Sequence, residues 1–137
     1  MPEAADLERI RALNTTAAFN RGCGIRVVAI APGEAVIEVE WKEDFGQYAG
    51  FLHAGMVGAL IDTACGYAAS TLAGRVLASH FAVNCLRPAV GERFVAKARV
   101  VKPGRTQVFT RCELFAYGPD GEKLVATGET LLVPVAA

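Results

Sequence analysis

Of the thirty residues between Asp44 and Arg75, Asp62 alone carries a formal charge. It lies within a run of small and apolar residues, 53–70, that reads as a buried helix. Burying an unpaired carboxylate costs several kcal/mol, or else raises its pKa until it takes up a proton. Either Asp62 bonds a helix N-terminus or a neighbouring hydroxyl, or it works chemically. The work open to it is general base toward water or direct nucleophile toward a carbonyl, and its spacing does not separate the two.

A second group suited to chemistry opens the same run. His53-Ala54-Gly55 stands where the helix begins, so its backbone N–H groups lack intrahelical partners, and the macrodipole adds partial positive charge. A carbonyl placed there would meet an oxyanion hole, in which the loss of one donor typically costs about 10²–10³ in rate. Asp62 lies eight residues beyond Ala54, roughly 12 Å along a helix. One carbonyl cannot reach both groups in the same chain. Joint action therefore requires an Asp62 supplied by a neighbouring subunit.

The elements that must hold these residues follow from periodicity. Residues 2–19 form an amphipathic segment with Leu7, Ile10, Leu13 and Ala17 at helical spacing, and Asn20 to Gly24 is expected to break it. Alternating runs around 25–31 and 35–41 flank Pro32-Gly33-Glu34, a hairpin turn. A glycine-containing loop, 43–52, leads into the long helix, predicted over 53–72. Strands are predicted at 77–86, 92–101, 106–117 and 123–133, with turns at Pro103-Gly104 and Gly118-Pro119-Asp120-Gly121.

Lys97, Arg99, Arg111, Glu113 and Glu129 recur at period two, which predicts a solvated sheet face with cross-strand ion pairs. The opposite face is apolar, and a helix apolar all round is its natural cover. The fold class is therefore α+β: one domain over 1–137, an antiparallel sheet wrapped around a long central helix, with an added N-terminal helical segment at 1–20. One sheet covers only part of such a helix. A second subunit is expected against the rest.

Composition narrows the function classes. The chain has 14 Lys+Arg against 14 Asp+Glu and no basic cluster, so nucleic-acid binding has no electrostatic footprint. Cys23, Cys65, Cys85 and Cys112 show no C-x-x-C pairing. With no signal peptide, this predicts reduced, buried thiols in a cytoplasmic protein without a metal site. The stretch 52–73 is just long enough to span a bilayer. Its central Asp would cost about 2.5–3.5 kcal/mol on insertion, and its Ala, Gly, Ser and Thr are poor lipid-facing residues. A membrane span is rejected.

Taken in order, Gln47, His53-Ala54-Gly55, Asp62, Leu86-Arg87-Pro88-Ala89, Gly104-Arg105 and Asp120-Gly121 resemble the pattern of the hotdog-fold acyl-CoA thioesterases of the PaaI-like (4-hydroxybenzoyl-CoA thioesterase) superfamily. The resemblance covers residues 22–133. It implies a hotdog fold and hydrolysis of an aryl- or fatty-acyl-CoA to free acid and CoA, with no cofactor. It also implies an active site shared across a dimer, so the assembly expected is a homodimer at minimum and a homotetramer as a dimer of dimers.

The resemblance assigns the oxyanion donor to Ala54, where the family pattern has Gly. The amide survives this change, while the added methyl group is expected either to narrow the pocket or to shift the carbonyl. Gln47 matches the position whose side-chain amide donates to the thioester carbonyl, Gly55 lies beside the substrate, and His53 shapes the helix start more than it transfers protons. Ser79 is near the position where some members place a water-orienting hydroxyl. Ala78 matches that spacing better, and His80 reads as a surface or interface residue. Arg87, Lys102 and Arg105 are cations at strand ends and turns, suited to the phosphates of CoA. The N-terminal segment is expected to cap the sheet rather than line an acyl tunnel. Two other readings stay open: a hotdog hydratase or dehydratase, which lacks its helix-borne His here, and a non-catalytic acyl-CoA-binding module, for which Ala54 is the best argument.

Overall fold

The computed structural model describes residues 2–136. Two N-terminal helices, α1 (Pro2–Thr16) and α2 (Ala18–Cys23), precede the hairpin β1 (Arg26–Ala31) and β2 (Glu34–Glu40). The long helix α3 (Ala54–Ala73) follows, then β3 (Val76–Cys85), β4 (Arg93–Lys102), β5 (Val108–Gly118) and β6 (Gly121–Pro134). The six strands form one sheet in the order β1-β2-β4-β5-β6-β3, antiparallel at every step. The α+β reading holds, with element ends moved by a residue or two, the usual scatter of frayed termini.

Period two decides which strand residues meet the helix. Ile37 and Val39 on β2, Phe94 on β4 and Leu114 on β5 are fully buried, as are Leu60, Ile61, Ala64 and Cys65 on α3. The helix packs on β2 through β6. Its approach to β6 is close: a Cβ at Gly128 would fall 2.8 Å from Ile61 Cγ2 and 2.8 Å from the Ala82 carbonyl. The β1–β2 turn works as expected, with Gly33 in the left-handed region at φ +74° after a proline that presets its own φ.

Three expectations need correction. Asn20 to Cys23 continue as α2, and the break falls at Ala17, which is extended at φ −89°, ψ 115°. The cause is tertiary. Asn20 is buried and donates to Asn14 Oδ1 at 2.9 Å and to the Tyr67 hydroxyl at 3.0 Å, which holds α2 against α1 and α3. The sheet-face ion pairs form elsewhere: Glu38 takes Arg26 at 2.8 Å and Arg93 at 2.9 Å. Among the described residues no salt bridge involves Lys97, Arg99, Arg111, Glu113 or Glu129, although register sets Lys97 opposite Glu113 and Arg111 opposite Glu129. Lys97 sits over the Phe115 ring instead, and Arg99 faces Arg111. Finally, three cysteines are buried, but Cys85 is exposed on β3, which is an edge strand.

Candidate active site

The loop before α3 is pinned by a bridge between Gly46 and Leu52 and by the His53 N–H donating to the Phe45 carbonyl at 2.8 Å. His53 is thereby set as the N-cap of α3. Its Nδ1 accepts the Gly55 N–H at 2.8 Å, and its carbonyl accepts from Met56 and Val57. Three of the four first-turn amides are thus satisfied. Ala54 N–H is the one left without a protein acceptor among the described residues. The helix start concentrates its unpaired donor capacity on Ala54.

Gln47, His53, Ala54, Cys85 and Arg87 line a single pocket of about 460 Å³ at this helix start. The Gln47 side-chain oxygen accepts the Ala49 N–H, so its amide nitrogen is the group free to donate into that pocket. Gly55, in contrast, has its amide occupied by His53. The His53 lone pair at Nδ1 is committed in turn, which suits a shaping role better than proton transfer.

Asp62 occupies a different cleft, of about 820 Å³, lined also by Thr63, Gly66, Tyr67, Leu13 and Ala78. Its Oδ1 is buried and has no hydrogen-bond partner. Burial pushes the Asp62 carboxyl above the ordinary carboxylate range, because no nearby cation offsets the lost hydration. The helix N-terminus or hydroxyl that would make it a structural aspartate is absent among the described residues. Since α3 is continuous from Ala54 to Ala73, the helix-start pocket and the Asp62 cleft are separate within one protomer.

The remaining site residues divide between these two places. Arg87 reaches the helix-start pocket. Lys102 and Arg105 fall at the β4–β5 turn, the end of the sheet shared with Val76 rather than with His53, and the Lys102 ammonium donates to the Pro103 carbonyl. Ser79 is the extra residue of a β-bulge, because Ala78 pairs with Leu132 and His80 with Leu131. Its hydroxyl donates to the Leu131 carbonyl at 3.3 Å, while Ala78 lines the Asp62 cleft. Residues 63, 66 and 67 beside Asp62 escaped the sequence reading. Their signal was helical spacing from Asp62, masked by a run that looks apolar on every face.

A single antiparallel sheet in this strand order, closed around one long helix that carries an open amide and a half-buried acid, is the hotdog fold. Comparison with known proteins narrows that class. The profile of the thioesterase superfamily matches residues 49–123, more than half the chain, and the chain belongs to that superfamily. Acyl-coenzyme A thioesterase 13 of Homo sapiens is 30% identical over 111 residues, covering 78% of this chain and 79% of that protein. A thioesterase family protein from Silicibacter pomeroyi superposes with a TM-score of 0.92 at 34% identity, over 96% of this chain and 99% of that one. The E. coli PaaI protein of the phenylacetic acid degradation operon shares the fold, with a TM-score of 0.89 at 20% identity, over 100% of this chain and 98% of that one.

Proposed function

We propose that this thioesterase hydrolyses acyl-CoA, and that each of its active sites is completed by a second copy of the chain. The carrying observation is Asp62, a half-buried acid with a buried, unpartnered oxygen on the same helix as the open Ala54 amide but two turns away. The edge strand β3 supplies a way to join them. It leaves one side unpaired and exposes Leu77 at 65% and Phe81 at 48%, a template for strand pairing. Val76, Leu77 and Ala78 at its start line the Asp62 cleft, whereas Cys85 at its end lines the helix-start pocket. Two β3 strands paired antiparallel about a two-fold axis bring the start of one beside the end of the other. The Asp62 cleft of one copy then faces the helix-start pocket of its partner.

In that arrangement the thioester oxygen accepts from the Ala54 N–H and the Gln47 amide. The partner's Asp62 draws a proton from water, whose oxygen attacks the carbonyl carbon, or attacks that carbon itself to give a mixed anhydride that water then opens. Negative charge gathers on the oxygen held at Ala54, and collapse expels the CoA thiolate, which takes up a proton. Arg87 of the holding copy, with Lys102 and Arg105 brought in by the other, suits the CoA phosphates. The four unpaired cysteines fit a reducing, cytoplasmic setting. The test is thiol release from a panel of acyl-CoA esters. Release from the parent, abolished in Asp62→Asn with an unchanged circular-dichroism spectrum, is expected. Tight binding without release would overturn the hydrolase reading.

A further inference from the structure

Glycine inside a helix is unfavourable unless something forbids a side chain. Within α3, a Cβ added at Gly55 would lie 3.0 Å from His53 Nδ1, and one at Gly58 would lie 3.2 Å from Phe81 Cε2. Packing accounts for both. At Gly66 the added Cβ would meet only Leu132 Cδ2, at 3.8 Å, an ordinary contact. The protomer leaves room for a side chain there and does not use it. Gly66 is four residues beyond Asp62, one turn further on the same helix face, and both line the same cleft.

The opposite wall of that cleft is α1, through Ala12, Leu13 and Thr16. The cleft continues to Gly74 and Arg75, roughly 18 Å from Asp62 at the helical rise. The polar groups of Tyr67, Asn20 and Ser70 along the way are already engaged. The Tyr67 hydroxyl donates to Asn14 at 2.6 Å and the Asn20 amide nitrogen is bonded to both. At the far end Arg9 donates to the Ser70 carbonyl at 3.4 Å, and Arg75 follows the α3 C-terminus, where a cation complements the helix dipole. What the path offers a ligand is length and apolar surface, beginning at a carboxylate with a free oxygen.

We propose that this cleft receives the substrate's acyl group as an extended, unbranched fatty-acyl chain, and that Gly66 is a specificity-determining residue kept small so that the chain can pass Asp62 and run beneath Leu13. The inference rests on the thioester-hydrolase reading of Asp62. An aryl group would fill only the first turns of the path. Helix α1 is then a wall of the acyl site as well as the cover over β1.

The experiment compares kcat/KM for acetyl-, hexanoyl-, dodecanoyl-, benzoyl- and phenylacetyl-CoA in the parent, in Gly66→Leu and in Leu13→Trp, with sedimentation of each. Leu13 is 48% exposed, so its enlargement leaves the fold intact. In the parent, kcat/KM should rise from acetyl to dodecanoyl and exceed both aryl esters. Both variants should lower the dodecanoyl-to-acetyl ratio by at least about tenfold, within reach of apolar-pocket discrimination, without changing assembly. An unchanged ratio in both variants, or an aryl preference in the parent, would sink the proposal. So would dissociation of Gly66→Leu with equal loss on every ester, since Gly66 would then be an interface glycine. If the parent releases thiol from none of the esters, it is the hydrolase reading that fails.

Discussion

Ala54 is the first residue inside α3, the helix position where proline is best tolerated because its missing N–H would be unpaired anyway. The preceding residue must be extended, and His53 already is, at φ −61°, ψ 138°. Ala54→Pro therefore deletes the proposed oxyanion donor while sparing the helix. We expect kcat/KM to fall by about 10²–10³ with an unchanged melting temperature, and Ala54→Gly to turn over as fast or faster. A collapse in the glycine variant would put the donor elsewhere. As the proposed base or nucleophile, Asp62 should set the acid side of the pH profile. Its pKa is raised by burial, so activity that needs the carboxylate should be lost on acidification at a higher pH than an ordinary Asp would give. The stability sign is opposite. Between the unfolded and the raised folded pKa the native state holds more protons, so stability falls as pH rises through that window. The melting-temperature advantage of Asp62→Asn over the parent should therefore grow with pH across it and then level off.

Elements come next, and here Tyr67 joins three of them. Its hydroxyl, with Asn14 and Asn20, ties α3 to α1 and α2, and the Asn14 amide reaches the Ile25 carbonyl at 2.9 Å. Tyr67→Phe removes two buried hydrogen bonds, leaving Asn14 and Asn20 bonded to each other, and should cost about 1–3 kcal/mol in urea unfolding. Thr71→Val, which removes the acceptor for the Gly33 N–H at the half-buried β1–β2 turn, should cost less. How legible these elements were depended on the range of the forces that make them. The long helix, the alternating strands and the Pro32-Gly33 turn are local patterns and could be read directly. The continuation of α2 through Asn20, the bulge at Ser79 and the role of α1 as a cleft wall depend on distant residues, respectively Tyr67, Leu131 and Asp62, that no window of neighbouring residues contains. The sheet-face charges misled for a related reason. Their period was right, and register even sets Lys97 opposite Glu113 and Arg111 opposite Glu129, but Lys97 turns to the Phe115 ring, a partner that its own strand does not reveal. Within the site, Asp62 and Ala54 stood out by type and position, whereas Gly66 was one small residue in a run of them.

At the scale of the whole molecule, the separation of Ala54 from Asp62 makes a prediction about mixtures. Ala54→Pro and Asp62→Asn should each be nearly inactive. Mixed and allowed to exchange subunits, they form heterodimers in which one of two sites pairs an intact Ala54 with an intact Asp62. Half the dimers are mixed, so activity should recover to about a quarter of the parent's. No recovery after exchange, verified by mass-tagged subunits, would mean that each chain works alone. The same test bears on β3, because a charge placed on its exposed side, as in Leu77→Lys, should weaken the dimer and lower activity in a concentration-dependent way.

Cys85 gives the molecule a built-in reporter. Among the described residues it is the one exposed thiol, it stands at the end of β3, and it lines the pocket that contains Ala54 and Arg87. A chromogenic disulfide that detects liberated CoA should also react with this side chain, adding a stoichiometric burst and progressively blocking the pocket that turnover needs. Cys85→Ser should abolish the burst and leave the steady phase. A non-cleavable thioether analogue of the substrate should slow modification of Cys85, so labelling kinetics would measure occupancy of the pocket without any bond being broken.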